Sequence, residues 1–232
     1  MAGCLPRYLP WVIAALEAVC TDEFNLHGVL ATTMTVDPVI VCNGPGTRAS
    51  GMNSGVNVLG QGNRVKLTIG RAVQLTFRNV GGGRPGEVNL AAHGNPHKFA
   101  CFNEDELDSP LTSLAVSRSF DASQNTVTVI TGKGPRCVVD QLARKSEQLA
   151  QSLTECLRTV HRPKLPFAFD AILILSPEHA RVFAQVDWGH ERVLQEIHDH
   201  LQLPGTEFVR GANGMAEGLQ EAFKDATLPN FD

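Results

Sequence analysis

The chain has 232 residues, of which 43% are hydrophobic and 19% are charged, and its formal net charge is -4. These values fit one large globular domain or two small ones, with enough length to bury a core. Basic residues never occur in runs longer than two and Tyr and Trp are scarce, which excludes the usual nucleic-acid and membrane-surface binders.

The first twenty residues predict a helix that enters the core almost at once. Pro6 and Pro10 fit a first turn, where a missing N–H costs little. Ala2-Gly3-Cys4 imitates the end of a lipoprotein signal, but no apolar segment precedes it and Glu17 interrupts the apolar stretch after it. We therefore expect no signal peptide, no membrane span and a cytoplasmic protein. The residues at helical spacing are Leu9, Val12, Ile13, Leu16, Val19 and Cys20.

Residues 36–46, VDPVIVCNGPG, predict a buried strand and a sharp turn. The next segment, 47–62, is rich in Gly, Asn and Ser and predicts a long irregular loop, which is usually functional or disordered. Asn63 is expected to cap the following helix, and the glycines at 81–83 are expected to end it. The predicted apolar face of that helix is Val65, Ile69, Ala72, Val73, Phe77 and Val80.

The rest of the chain alternates predicted strands and helices. The predicted strands are 98–102 and 126–136, a strand leads into a helix over 169–183, and the remaining predicted helices are 142–160, 190–203 and a weak one at 212–223. This alternation predicts an α/β fold with a mixed or mostly parallel sheet flanked by helices. We expect a single domain over 1–232, with subdomains at about 1–110 and 111–232 as the alternative.

Three predicted strands end in similar turns: VIVCNGPG, TVTVITGKGPR and ILILSPEH. In an open parallel sheet, ligands bind outside the carboxyl ends of the strands. A turn that merely ends a strand explains any one of them, whereas three together favour a site. If the strands are parallel, the residues that gather there are Cys42, Asn43, Lys133, Arg136, Glu178 and His179.

Two glycine-rich segments raise the question of nucleotide binding. GPGTRA (44–49) matches G-x-G-x-x-A, but the residues after it are poor helix formers and no acidic residue lies about 20 positions on, so NAD or FAD is not favoured. GKGPRC (132–137) lacks P-loop spacing.

The loop 81–99 combines glycines with ionisable side chains. Arg84 is of the type that grips a carboxylate or phosphate, and His93 and His97 are candidate acid–base groups or metal ligands. The alternative is a solvated loop in which Arg84 pairs with Glu87. The glycine density favours function because backbone can then approach a ligand closely.

Six cysteines lack C-x-x-C spacing and are too sparse for a disulfide scaffold, which indicates reduced cytosolic thiols. Cys20, Cys101 and Cys156 are interpreted as core residues. Cys4 precedes a helix whose dipole would lower a thiol pKa, and Cys42 lies at a strand end. These two are the candidate nucleophiles.

In LILSPEHARVF, helix-start chemistry explains Ser176 as a cap, Pro177 at the first helical position and Glu178 in the first turn. It does not explain His179, whose imidazole the dipole would keep neutral, as suits a base. His27 is isolated and is otherwise interpreted as a core or capping histidine. The histidines of 190–203 are assigned to a solvated face.

Several segments resemble an uncharacterised bacterial family, the partner region of UGSC-motif selenoproteins. The likeness lies in 1–19, 24–33, 43–89 and 174–184 and weakens between 110 and 165. In that family a Sec/Cys-Gly-Ser-Cys unit belongs to a companion domain or gene, and this chain has no such motif. The resemblance implies thiol or selenol chemistry on a small molecule and a companion subunit.

The sequence supports three functional hypotheses. The first is an enzyme or enzyme subunit that acts on a small anionic molecule by thiol-dependent lyase or redox chemistry. Its predicted catalytic residues are Cys4, His27, His93, Glu178 and His179, and its predicted substrate-binding residues are Asn43, Asn53, Arg71, Arg84 and Glu87.

The second hypothesis places a transition metal among His27, His93, His97 and His179, completed by Cys4 or Glu178. The third is a non-catalytic subunit that completes a partner's active site. A companion subunit or a homo-oligomer is expected, with no nucleic-acid and no membrane partner.

Overall fold

A computed structural model of the chain describes residues 1–95, 101–104, 106–160, 170–211, 214 and 217–228. Two compact units divide the chain. The first unit is Met1–Asp108 with Thr112–Arg136, and the second unit is Ser109–Leu111 with Cys137–Asp232. The predicted α/β class with a mixed sheet is confirmed.

The sheet of the first unit has the order β2-β1-β3, with β1 at Asp37–Asn43, β2 at Cys101–Asn103 and β3 at Thr126–Gly132. The central strand β1 runs parallel to β2 and antiparallel to β3. Its β-branched residues suit a strand with a neighbour on each side. The predicted buried strand at this position is confirmed.

Helices cover this sheet, and the core lies between them. They are α1 (Leu9–Val19), α2 (Leu26–Ala31), α3 (Gly46–Ser50), α4 (Arg64–Asn79) and α5 (Leu114–Ser117). A short 3-10 turn, Pro6–Tyr8, precedes α1. The buried cluster of the first unit is Tyr8, Trp11, Val12, Ala15, Val19, Ile40, Cys42, Met52, Val65, Ile69, Val73, Phe77 and Cys101.

Helix α4 agrees closely with the prediction from the sequence, whereas the buried face of α1 is rotated away from the predicted face. The Asn63 side chain accepts a hydrogen bond from the Lys66 N–H and caps α4 as predicted. In α1 the predicted face is partly wrong, because Leu9 and Ile13 are 56% and 46% exposed. The buried face is centred on Trp11, whose indole N–H donates to the Ser50 hydroxyl at 2.9 Å.

The second unit is built on α6 (Ser146–Arg158), α7 (Pro177–Ala184) and α8 (His190–Leu201), with a short antiparallel pair β4 (Leu203–Pro204) and β5 (Thr227–Leu228). Phe183 stacks on Trp188 at 6.0 Å between ring centroids, and the Arg192 guanidinium covers Trp188 at 4.6 Å. The buried cluster of this unit is Leu149, Ala150, Leu153, Phe183, Val193, Ile197 and Leu201.

Several predicted elements are wrong. Residues 170–176 form no strand. Their side chains alternate as in a strand, because Leu173 and Leu175 pack on the helical core while Ile172 and Ile174 are half-exposed. The segment has no paired neighbouring strand among the described residues. In place of the predicted final α-helix, Glu221–Phe223 form a 3-10 turn, and none of the described residues of 212–223 lies in an α-helix. The loop at 47–62 begins inside the short helix α3.

Other boundaries shift by a few residues. Val80 lies beyond the end of α4 and Leu142 lies before the start of α6, and both are more than 80% exposed. The predicted strand 98–102 is described only from Cys101. None of the helices in the described part of the chain has the length and apolarity needed to span a membrane.

Candidate functional site

Two asparagines end neighbouring parallel strands. Asn43 is the last residue of β1 and Asn103 is the last residue of β2, and β1 pairs Cys42 with Asn103. Their exposed fractions are 0% and 2%. Since both strands present their carboxyl ends at this point, it is the edge of the sheet where α/β proteins bind ligands. We call it the carboxyl edge.

Two carboxylates converge on the Asn43 amide. Its Nδ2 donates to Glu104 Oε2 at 2.5 Å and to Glu106 Oε1 at 3.1 Å. The two carboxylate oxygens are therefore at most 5.6 Å apart, the sum of these two distances. One buried amide thus holds a pair of half-buried negative charges in a fixed arrangement.

Backbone N–H groups complete this arrangement. The Leu114 N–H, at the start of α5, donates to Glu104 Oε2 at 2.8 Å, and the Gly44 N–H donates to Glu106 Oε2 at 2.9 Å. Gly44 has φ +96, and a Cβ there would collide with the Gln124 carbonyl oxygen. Glycine is therefore required where the chain leaves β1.

The carboxylate pair carries uncompensated charge. Within the described residues, no Lys, Arg or His nitrogen lies within 4.0 Å of either Glu104 or Glu106. In the same part of the chain, the buried side-chain oxygens Oδ1 of Asn43 and Oδ1 of Asn103 have no hydrogen-bond partner. An unpaired buried polar atom costs about 1–3 kcal/mol. A ligand that supplies positive charge and N–H donors would relieve both deficits.

Other buried polar side chains of the first unit are a pair of thiols and a lysine. The sulfur atoms of Cys42 and Cys101 are 3.9 Å apart, and this hydrogen bond together with burial raises the pKa of the Cys42 thiol well above its usual value. The Lys66 side chain is 2% exposed, and burial lowers its pKa. Its Nζ donates to the backbone oxygens of Asn53, at 3.3 Å, and Val58.

Cys4 is half-buried against α4. Its thiol donates to the Thr68 carbonyl oxygen at 3.1 Å. The Arg64 guanidinium donates twice to the Gly3 carbonyl oxygen, at 3.2 and 3.1 Å, and fixes the same segment. His27 and His93 are exposed. No hydrogen bond joins Cys4 to either histidine among the described residues.

The predicted substrate-binding residues are dispersed. Arg71 is exposed, and Arg84 pairs with Glu87 at 3.7 Å with both side chains 60% exposed. Such a surface pair stabilises little. Asn53 donates through Nδ2 to the Val56 carbonyl oxygen at 3.1 Å within its own loop. Of the predicted set, Asn43 alone belongs to the carboxyl edge.

The Ser176 cap is confirmed, since its hydroxyl accepts the His179 N–H at 3.3 Å. His179 Nε2 lies 2.9 Å from the Asp140 carbonyl oxygen, so this nitrogen carries the proton and donates. Glu178 is exposed, and its own backbone N–H, followed by the Ser176 hydroxyl, lowers its pKa. In the second unit His179 therefore links α7 to the segment before α6.

The prediction that three strand ends lie together at one edge of the sheet is wrong. Because β3 is antiparallel to β1, Asn43 faces Thr126, and Lys133 and Arg136 follow the opposite end of the sheet. Glu178 and His179 follow no strand. The described residues contain no group of three or more His, Cys, Asp or Glu side chains able to hold a metal ion, and His97 lies outside them.

Asn103, Glu104, Glu106 and Lys66 were not predicted from the sequence. The acidic run NEDELD directly after a short strand was an available indication, because carboxylates at a strand end are of the type that binds ligands. Lys66, by contrast, interrupts the first turn of an amphipathic helix and looks like an ordinary surface residue.

No protein-family model matches the chain, and the comparisons found neither a similar curated protein nor a similar solved structure.

Proposed function

We propose that the chain is an enzyme, or a subunit of one, that binds the cationic group of a small organic molecule at the carboxyl edge. The observation that carries this proposal is the Glu104–Glu106 pair, held by Asn43 without a side-chain cation within 4.0 Å among the described residues. A fixed negative charge attracts and orients a cation, and the attraction is stronger where water is excluded from the two charges.

An ammonium group has the donors that this edge lacks. Its three N–H groups can satisfy one oxygen of each carboxylate and one amide oxygen. The Asn43 Nδ2 group already occupies a position between the two carboxylates as a weaker donor.

This proposal differs from the anionic substrate expected from Arg71 and Arg84, because a pair of carboxylates repels an anion. The thiol-dependent lyase or redox reaction, the use of Cys4 and the companion subunit stay predictions. Loss of activity in Cys4→Ser would support the thiol reaction, and full activity would contradict it.

The test is a thermal-shift and calorimetric screen with putrescine, agmatine and ethanolamine, and with succinate and malonate as anions of similar size. We expect at least one amine to bind and the acids not to bind. Glu104→Gln and Glu106→Gln should each weaken amine binding at least tenfold, because each removes half of the charge pair. Glu87→Gln, a change at an exposed carboxylate of the same unit, should leave binding unchanged.

Two results would count against the proposal. Equal binding of amines by all three variants would place the ligand elsewhere. A response to Mg²⁺ or Ca²⁺ that Glu104→Gln abolishes, with no response to any amine, would make the carboxyl edge a metal site, since carboxylate and amide oxygens also suit those ions.

A further inference from the structure

A third strand contributes an unpaired polar group to the carboxyl edge. Because β3 runs antiparallel to β1, its first residue, Thr126, lies directly opposite Asn43. The Oγ1 atom of Thr126 is buried and, within the described residues, has no hydrogen-bond partner. An ammonium group bound at the Glu104–Glu106 pair leaves this hydroxyl unpaired.

The Thr126 hydroxyl lies on the same face of the sheet as the Asn43 amide. Directly opposite residues of an antiparallel pair share a face and have Cβ atoms about 4.5–5.5 Å apart. The two side chains nevertheless form no hydrogen bond with each other, since Oδ1 of Asn43 and Oγ1 of Thr126 both lack a partner in the described part of the chain. Such unpaired buried atoms in a native structure call for a partner from outside the chain, a bound molecule or water.

The chemistry of the two atoms indicates which groups a bound molecule must carry. An amide oxygen only accepts, so Oδ1 of Asn43 requires a donor, whereas a threonine hydroxyl both donates and accepts. An ammonium group supplies donors for Asn43 and for the carboxylates, but it has no lone pair that could accept the proton of Thr126. A hydroxyl group on the ligand satisfies Thr126 in either role.

The strand register also limits the spacing of the two ligand groups. Because Asn43 and Thr126 are directly opposite each other, an ammonium and a hydroxyl on neighbouring carbon atoms of the ligand suit the short distance between them. A diamine such as putrescine fits less well, because its second group is farther away and is itself only a donor.

We propose that the carboxyl edge selects a small amino alcohol, whose ammonium group binds at the Glu104–Glu106 pair and whose hydroxyl group bonds Thr126. This inference rests on the proposed cation site and adds to it the class of ligand and a residue that determines specificity. A site built to bond a hydroxyl of its ligand discriminates against the analogue that lacks it, because the buried polar group of the site then stays unpaired.

The test compares ethanolamine with n-propylamine, which has a methyl group in place of the hydroxyl, by calorimetry on the full chain. We expect the wild-type chain to bind ethanolamine about fivefold more tightly, as one additional hydrogen bond provides. Thr126→Val keeps the shape of the side chain and should bring the two affinities together, whereas Thr126→Ser should retain the preference. Thr128→Val is the matched control, because Thr128 is two residues along the same strand, opposite Val41, and should leave the preference unchanged.

Thermal stability gives a second readout on the same variant. Replacing an unpaired buried hydroxyl by a methyl group of the same shape is neutral or stabilising, so Thr126→Val should not lower the unfolding midpoint of the free chain. A clear loss of stability would show that Thr126 already has a partner within the fold and would overturn the inference.

The binding results separate this inference from the proposed function. Equal affinity of the wild-type chain for both amines, or a preference for ethanolamine that persists in Thr126→Val, overturns the inference. If both amines still lose affinity in Glu104→Gln, the cation site stands without it. If no amine binds, the cation site and the inference fail together.

Discussion

Replacing Asn43 by alanine tests the structural basis of the carboxyl edge. The change removes two hydrogen bonds to ionised acceptors, each contributing about 1.5–3 kcal/mol. Because Glu104 and Glu106 are half-exposed and water can replace part of the loss, the lower value applies to each bond. Asn43→Ala should therefore lower the free energy of unfolding of the first unit by about 3 kcal/mol.

Tryptophan fluorescence can report the unfolding of the first unit, and Asn125→Ala is a matched control for Asn43→Ala. It has two tryptophans, Trp11 in the first unit and Trp188 in the second. In a Trp188→Phe background, urea unfolding monitored by fluorescence reports on the first unit, through a side chain that is 7% exposed. Asn125→Ala removes one neutral hydrogen bond, to the Gly46 N–H at 2.7 Å, and should cost about 1 kcal/mol.

The comparison between the two variants decides the outcome. The slope of the unfolding free energy with urea should be unchanged in both, so that the midpoints alone report stability. A cost for Asn43→Ala no larger than that for Asn125→Ala would refute the inference that Asn43 holds the carboxylate pair together.

Two further predictions concern other parts of the chain. The Ser152 hydroxyl, followed by the backbone N–H groups of residues 143 and 142, lowers the pKa of Asp140 from 3.8 to about 2. Asp140 therefore stabilises the second unit above about pH 4, and this contribution is lost as pH falls towards 2. In Asp140→Asn, the urea midpoint measured by Trp188 fluorescence should vary less between pH 4 and 2 than it does in the wild-type chain. Arg64→Met should speed the alkylation of Cys4 about fivefold, as expected for a loss of about 1 kcal/mol, while Arg71→Met should not; equal rates would show that Arg64 does not restrain the segment.

Elements with strong local patterns were predictable from the sequence. Helix α4 has an asparagine cap, an amphipathic face and a glycine stop, and the structure uses all three. Strand β1 has a β-branched run that ends at Asn-Gly. The face of α1 was not predictable in full, because tertiary packing of Trp11 against Ser50 outweighed the apolar repeat.

The candidate site depended on information that a single sequence does not contain. Whether β3 runs parallel or antiparallel to β1 is a tertiary property, and it decides which strand ends meet. Asn43 was assigned to a site because it follows a buried strand. Its partners Glu104 and Glu106 are about sixty positions away, and only the pairing of β1 with β2 reveals that they converge.

The same pairing has a kinetic consequence. The sheet joins Ile40 to Cys101 and Asn43 to Thr126, contacts that span much of the first unit in sequence. Non-local contacts slow folding because a long loop must close before they form. During synthesis the Asn43 side chain therefore cannot bind Glu104 and Glu106 until the ribosome has released residues beyond Glu106. Until then it must form no stable contact with other partners. We expect a nascent chain that stops before residue 104 to lack the Glu104–Glu106 pair at the carboxyl edge, even if its first helices have already formed.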